Sequence, residues 1–197
     1  MNKLLIILSI GFICMSCAST HNTHFYTLEL AATPTADRPF KYPVTICIEN
    51  IRADEPYSDD RLIFRDSIYE IKFYHYHRWV THPAKMITEK MVVRLKDSHL
   101  FQNVVRMPAH QSADYVLQGA VKALEEWDQG EQWFGRLELV FTLSEFSTNK
   151  IIWEKEFTAQ TPVAQKTPIG VVKALSTSLD SCLNQLVAVL DQHLQQR

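Results

Sequence analysis

Residues 61–105 read "RLIFRDSIYEIKFYHYHRWVTHPAKMITEKMVVRLKDSHLFQNVV". Residues 61–66 and 68–80 are two runs rich in aromatic and β-branched side chains. They meet at a tight link near Asp66-Ser67, which predicts a hairpin. Pro83 stops the second run and suits the first turn of a helix. From there Met86, Ile87, Met91, Val92 and Leu95 recur at helical spacing, with charges on the opposite side. Residues 101–107 return to a strand pattern. A strand pair, an amphipathic helix and a further strand in succession point to an α+β fold.

The flanking sequence extends this order. Residues 24–30, "HFYTLEL", read as a first strand, and residues 44–51, "VTICIENI", as a second, separated by a proline-bearing loop. In the second, Val44, Ile46 and Ile48 alternate with Thr45, Cys47 and Glu49, so Cys47 is predicted to point away from the apolar face. Residues 113–127 and 132–146 form two long strands joined at Asp128-Gln129-Gly130. Residues 150–160 add another after the turn residues Thr148-Asn149. Thr167 and Pro168 then cap and open a helix running to about Leu194. Val172, Leu175, Leu179, Leu183, Leu186 and Leu190 form its stripe, whose reading is packing against one sheet face. The expectation is a two-layer α+β sandwich, a largely antiparallel sheet with two main helices on one face.

The chain has 197 residues, 46% hydrophobic and 21% charged, with a formal net charge of -2. This is enough for one domain with a real core. No Lys/Arg cluster is present, which excludes a nucleic-acid partner, since phosphate neutralisation needs clustered positive charge. Lys3 followed by the apolar stretch 4–15, "LLIILSIGFICM", reads as a signal peptide over residues 1–16 and is too short for a mature span. The stretch ends on Ser16-Cys17, which resembles a bacterial lipobox with Cys17 as the lipid-attachment residue. Its departure is Cys14, where such boxes usually carry Leu. Acyl chains such as palmitate contribute about 0.8 kcal/mol per buried methylene, so several of them hold a protein on a membrane. Residues 17–23 are then a lipidated N-terminus and polar tether, and residues 24–197 a single domain. Ala18, in place of the Asp that retains many enterobacterial lipoproteins at the inner membrane, favours the outer membrane. Cys47 and Cys182 remain; a periplasm would allow them to pair. The outward position of Cys47 argues instead for two free, half-buried thiols.

No phosphate-binding glycine loop and no G-x-S-x-G elbow occurs. The one chemically dense stretch is residues 73–82, "FYHYHRWVTH". Strand alternation puts His75 and His77 on one face with Phe73 and Trp79, and Tyr74, Tyr76 and Arg78 on the other. His75, His77 and His82 are the alternative metal ligands. Zinc needs three or four ligands and carboxylates behind its imidazoles, and no acid lies close in sequence. The preferred reading has no metal and no cofactor. Trp79 and Pro83 anchor the strand-to-helix packing, and Tyr74, Tyr76 and Arg78 form a partner surface.

This order of features resembles the ABC-type transport auxiliary lipoproteins. The likeness starts at Cys17 and "HFYTLEL" and is sharpest in residues 61–105. Trp79, Pro83, Met86, Leu95, Phe101 and Val104 fall where the family pattern places its Trp-ended strand, Pro-led helix and Phe-x-x-Val strand. "ADYVLQGAVKALEE" matches the next strand. The three histidines are a departure from that pattern. The resemblance implies a non-enzymatic outer-membrane lipoprotein facing the periplasm. Its implied partners are an MCE-domain protein and an ABC permease and ATPase that move lipids or other hydrophobic molecules between membranes. It would act as a docking or exit component, either singly or as a homo-oligomeric ring. Two rival readings are an assembly lipoprotein of another outer-membrane machine, of the pilotin or lipopolysaccharide-export type, and a periplasmic metalloenzyme built on the histidines.

Overall fold

The computed structural model describes residues 22–32, 38–108 and 112–196. The signal peptide, Cys14 and Cys17 lie outside these residues. The elements run β1 His24–Tyr26, β2 Tyr42–Ile48, β3 Arg52–Ala53, β4 Arg61–Ser67, β5 Glu70–Trp79, α1 Pro83–Asp97, β6 Phe101–Arg106, β7 Tyr115–Gln129, β8 Gln132–Glu145, β9 Ile151–Pro162 and α2 Pro168–Gln195. The fold is α+β, with one nine-stranded sheet and both helices burying their stripes in a single core.

Strand β7 is the spine. One of its edges pairs with β8 from Tyr115↔Glu145 to Gln129↔Gln132, and β9 pairs antiparallel outside β8. Its other edge is shared in series by β2, β3 and β4, all parallel to it. Beyond them lie β6 on one side and β5 then β1 on the other. The long pairings are antiparallel, as their hairpins require. The short ones to β2, β3, β4, β6 and β1 are parallel, so the sheet is mixed. Such pairings join segments far apart in the chain, which local patterning does not report.

Both helices start on Pro, and Thr167 Oγ1 accepts the Gly170 amide at 3.2 Å, satisfying a first-turn donor. The six predicted stripe residues of α2 are buried. On α1, Met86, Ile87, Met91 and Leu95 are buried and Val92 is half-buried. Gly135 on β8 allows α2 to approach closely: a Cβ there would stand 2.6 Å from the Leu175 nitrogen. The two helices are joined by the Arg94–Asp180 ion pair and by Arg94 Nη1 donating to Asn184 Oδ1 at 3.0 Å.

Four expectations need correction. The first strand ends at Tyr26. Residues 27–32 instead form a strap over both helices, in which Leu28 is fully buried. There the Leu28 amide meets Met86 Sδ, Glu29 N donates to Ser176 Oγ and Ala31 N donates to Asp180 Oδ1. Pairing with β5 runs out where β5 itself ends, and burial of Leu28 then directs the chain. The β4–β5 turn is Ile68-Tyr69 rather than Asp66-Ser67, because Ser67 and Glu70 still pair. Likewise Gln129 and Gln132 pair, and the turn is Gly130-Glu131 with Gly130 at φ 61°. Finally, Cys47 and Cys182 are free, as expected, but fully buried rather than half-buried. β2 lies between β6 and β7 with Ile46, Cys47 and Ile48 all at 0% exposure, so both of its faces are covered. Burial pushes the Cys182 thiol up to about 12.

A candidate partner surface along β4, β5 and β1

β5 departs from simple alternation. Arg61 pairs with Arg78 and Ile63 with Phe73, so β5 spends five steps where β4 spends two. The extra residues form a bulge, which re-aims side chains. Tyr74 and His77, which alternation would set on opposite faces, meet edge to face at 5.4 Å. The three histidines go different ways. His75 is exposed beside Tyr76. His77 is half-buried, stacked on His24 at 5.3 Å, and its Nδ1 is 2.9 Å from the Tyr26 hydroxyl. His82 sits at the α1 N-cap position with Nδ1 2.7 Å from the Ser58 carbonyl. Among the described residues no group of three His, Cys, Asp or Glu side chains could hold a metal ion.

The other named residues divide between fold and surface. Trp79 is 3% exposed, and its amide donates to the Asp60 carbonyl at 2.6 Å. Arg78 pairs with the Asp60 carboxylate at 2.6 Å. Tyr74 is half-buried, and its hydroxyl donates to Glu126 at 2.8 Å. Tyr76 is exposed. With it, Ile68, Tyr69, Phe25 and Val80 place apolar surface along the hairpin and beside β1. A groove on this hairpin is lined by Arg61, Phe64, Glu70, Lys72, Phe73, Tyr74 and His75. The Arg61 guanidinium lies 4.1 Å from the Phe73 ring centre and grips Asp59 through two hydrogen bonds, of 2.9 and 2.7 Å. Those bonds hold the Asp59 carboxyl at about 2.

Under this surface lies a polar layer that sequence reasoning missed. Glu125 and Glu126 are each 1% exposed. Glu125 accepts from the Tyr57 hydroxyl at 2.5 Å and lies 3.6 Å from Arg65 and 3.5 Å from Arg136. The two guanidiniums flank the Trp127 ring at 5.8 and 5.0 Å. Glu126 shares its side of β7 with Asp128, and burial pushes both carboxyls up, Glu126 to about 7. The available signal was "ALEEW": a pair of acids inside an otherwise apolar strand needs partners from elsewhere. The arrangement offers aromatic, cationic and apolar contacts on a rigid, ion-paired base. That chemistry suits holding a partner protein.

A family model described as an ABC-type transport auxiliary lipoprotein component matches residues 26–187. No curated protein matches the chain. Among solved structures, protein XCC0632 from Xanthomonas campestris superposes with a TM-score of 0.77 at 21% identity, over 88% of this chain and 98% of that one. Protein CT253 from Chlamydia trachomatis gives 0.53 at 9% identity, over 76% and 96%. At such identities the likeness is one of fold.

Proposed function

The chain belongs to the ABC-type transport auxiliary lipoprotein family, and on that premise we propose that it is a non-enzymatic accessory of an intermembrane lipid transport system. In this reading Cys17 carries the lipid anchor and the domain faces the periplasm from the outer membrane. Its partners are an MCE-domain protein with its ABC permease and ATPase. The cargo class is lipids or other hydrophobic molecules.

The observation that carries the reading is the family match over residues 26–187. Two features support it. The first strand, at His24, begins seven residues after Cys17 in the sequence, which leaves a short tether. No helix of the described residues is long and apolar enough to cross a membrane, so a lipid on Cys17 would supply the attachment. In this reading the surface formed by Tyr69 and Tyr76 of the hairpin and Phe25 of β1 contacts the MCE-domain protein.

The test is affinity purification of the anchored protein after mild crosslinking, with mass spectrometry of what is recovered. An MCE-domain protein together with its permease and ATPase is the expected result. Recovery of a different envelope complex, or of no partner, would overturn the reading.

A further inference from the structure

The opposite margin of the sheet is built differently from β1. Among the described residues β6 is the last strand on that side and pairs only with β2. A trough of about 490 Å³ runs there, lined by Arg38–Phe40, Lys96, His99 and residues 101–105. Consecutive strand residues point to alternate faces, so a cavity touching five in a row lies along the strand's edge. Its floor is the backbone of β6 on the side that no other strand of the described residues pairs with. Residues 38–40 form another wall, and the chain directly after them is held by Lys41 N and Tyr42 N, which donate to the His99 and Leu100 carbonyls at 2.8 and 2.9 Å. His99 takes φ 53°, a left-handed residue just past α1 that turns the chain into β6.

The formal charge on the walls of this trough is positive, from Arg38 and Lys96. Arg38, Lys96 and His99 line it, and no Asp or Glu does. Among the described residues none of the three has a carboxylate within ion-pair distance. Acids on the adjoining segments are engaged elsewhere. Asp191 holds Lys41, and Asp114 accepts the Thr45 amide. Asp97 faces the hollow beside the strap. Charges that merely guard an edge sit on the edge strand itself. Here Phe101–Val105 carry none, the one charge of β6, Arg106, donates to Asn50 Oδ1 at 2.8 Å, and Arg38 and Lys96 stand on the walls, where they reach the side chains of an added strand.

We infer that the β6 edge is a docking site for an extended acidic segment of a partner protein, which adds as a further strand and sets its carboxylates against Arg38 and Lys96. Backbone pairing supplies the register-independent part of the affinity and the wall charges supply the selectivity. This surface is remote from β1, and its occupancy is independent of the transport reading.

The test uses three fluorescent peptides: alternating Glu and Val, alternating Lys and Val, and a Glu peptide of equal charge interrupted by prolines. Binding is followed by polarisation, and hydrogen exchange is followed at the amides of residues 102–105. The Glu–Val peptide is expected to bind, to slow exchange in β6 and to weaken as salt rises. Arg38→Glu with Lys96→Glu should lower its affinity by about tenfold or more, with an unchanged melting temperature because both positions are exposed. Equal binding of the Lys–Val or proline peptide overturns the proposal, as does binding that leaves β6 exchange unchanged. Capture by phosphatidylglycerol vesicles that the Glu–Val peptide does not compete with would reassign the trough to anionic lipid and equally overturn it.

Discussion

Trp79 closes β5, receives β1 at Tyr26↔Trp79 and precedes the Pro83 helix start, so three elements meet around this buried residue. Trp79→Ala should cost about 3–5 kcal/mol, the range for truncating a buried aromatic, as read from urea denaturation. A loss indistinguishable from zero would remove it from the core. Glu126 gives a pH signature. Its carboxyl rises from 4.5 to about 7 on folding because burial disfavours the charged form. The folded state therefore holds a proton that the unfolded chain releases, and stability falls as pH rises from about 4.5 to about 7. Glu126→Gln keeps an acceptor for the Tyr74 hydroxyl. It should flatten that slope and raise stability at pH 8 by about 1–3 kcal/mol, measured as denaturation midpoints across pH. Legibility at this scale depended on locality. Trp79 and the α2 leucines were readable because their own neighbours form the pattern. Cys47 and Glu126 were not, because what surrounds them is supplied by strands and loops remote in sequence.

Both helices and both long hairpins were readable as elements, since periodicity and turn residues are local properties. The β5 bulge was not: nothing in "FYHYHRW" marks which residues lack a partner on β4, and the same-face placement of His75 and His77 depended on that. Nor was the two-residue β3, which exists only through its pairing with β7. The β8–α2 contact yields a clear element-level test. Gly135→Ala places a Cβ 2.6–2.9 Å from Leu175 N and from Ala174. Backbone must shift there, and Ser178 Oγ, which donates to the Gly135 carbonyl at 2.8 Å, would shift with it. A destabilisation of about 1–3 kcal/mol is expected in the melting curve. The strap is held chiefly by Leu28, and Leu28→Ala should cost about 2–5 kcal/mol by chemical denaturation.

For the whole molecule, the α+β class with helices on one face followed from element order. The parallel joins that build a mixed sheet required the three-dimensional arrangement. The anchoring proposal makes its own prediction: Cys17→Ser should move the protein from the membrane to the soluble fraction after cell fractionation, while the melting temperature of the domain stays unchanged. Retention of the variant on membranes would show that another segment holds it there. The entry of the chain into the fold has a mechanical consequence. A pull on residues 22–23 acts along β1, whose pairing with β5 spans only three residues. Behind it the load meets the strap, seated by Leu28 and by the amide bonds of Glu29 and Ala31 to α2. In a chain anchored through Cys17 as proposed, tension would thus be borne first at the sheet margin and then by the helix pair, and the β7–β8 spine would be the last part to feel it.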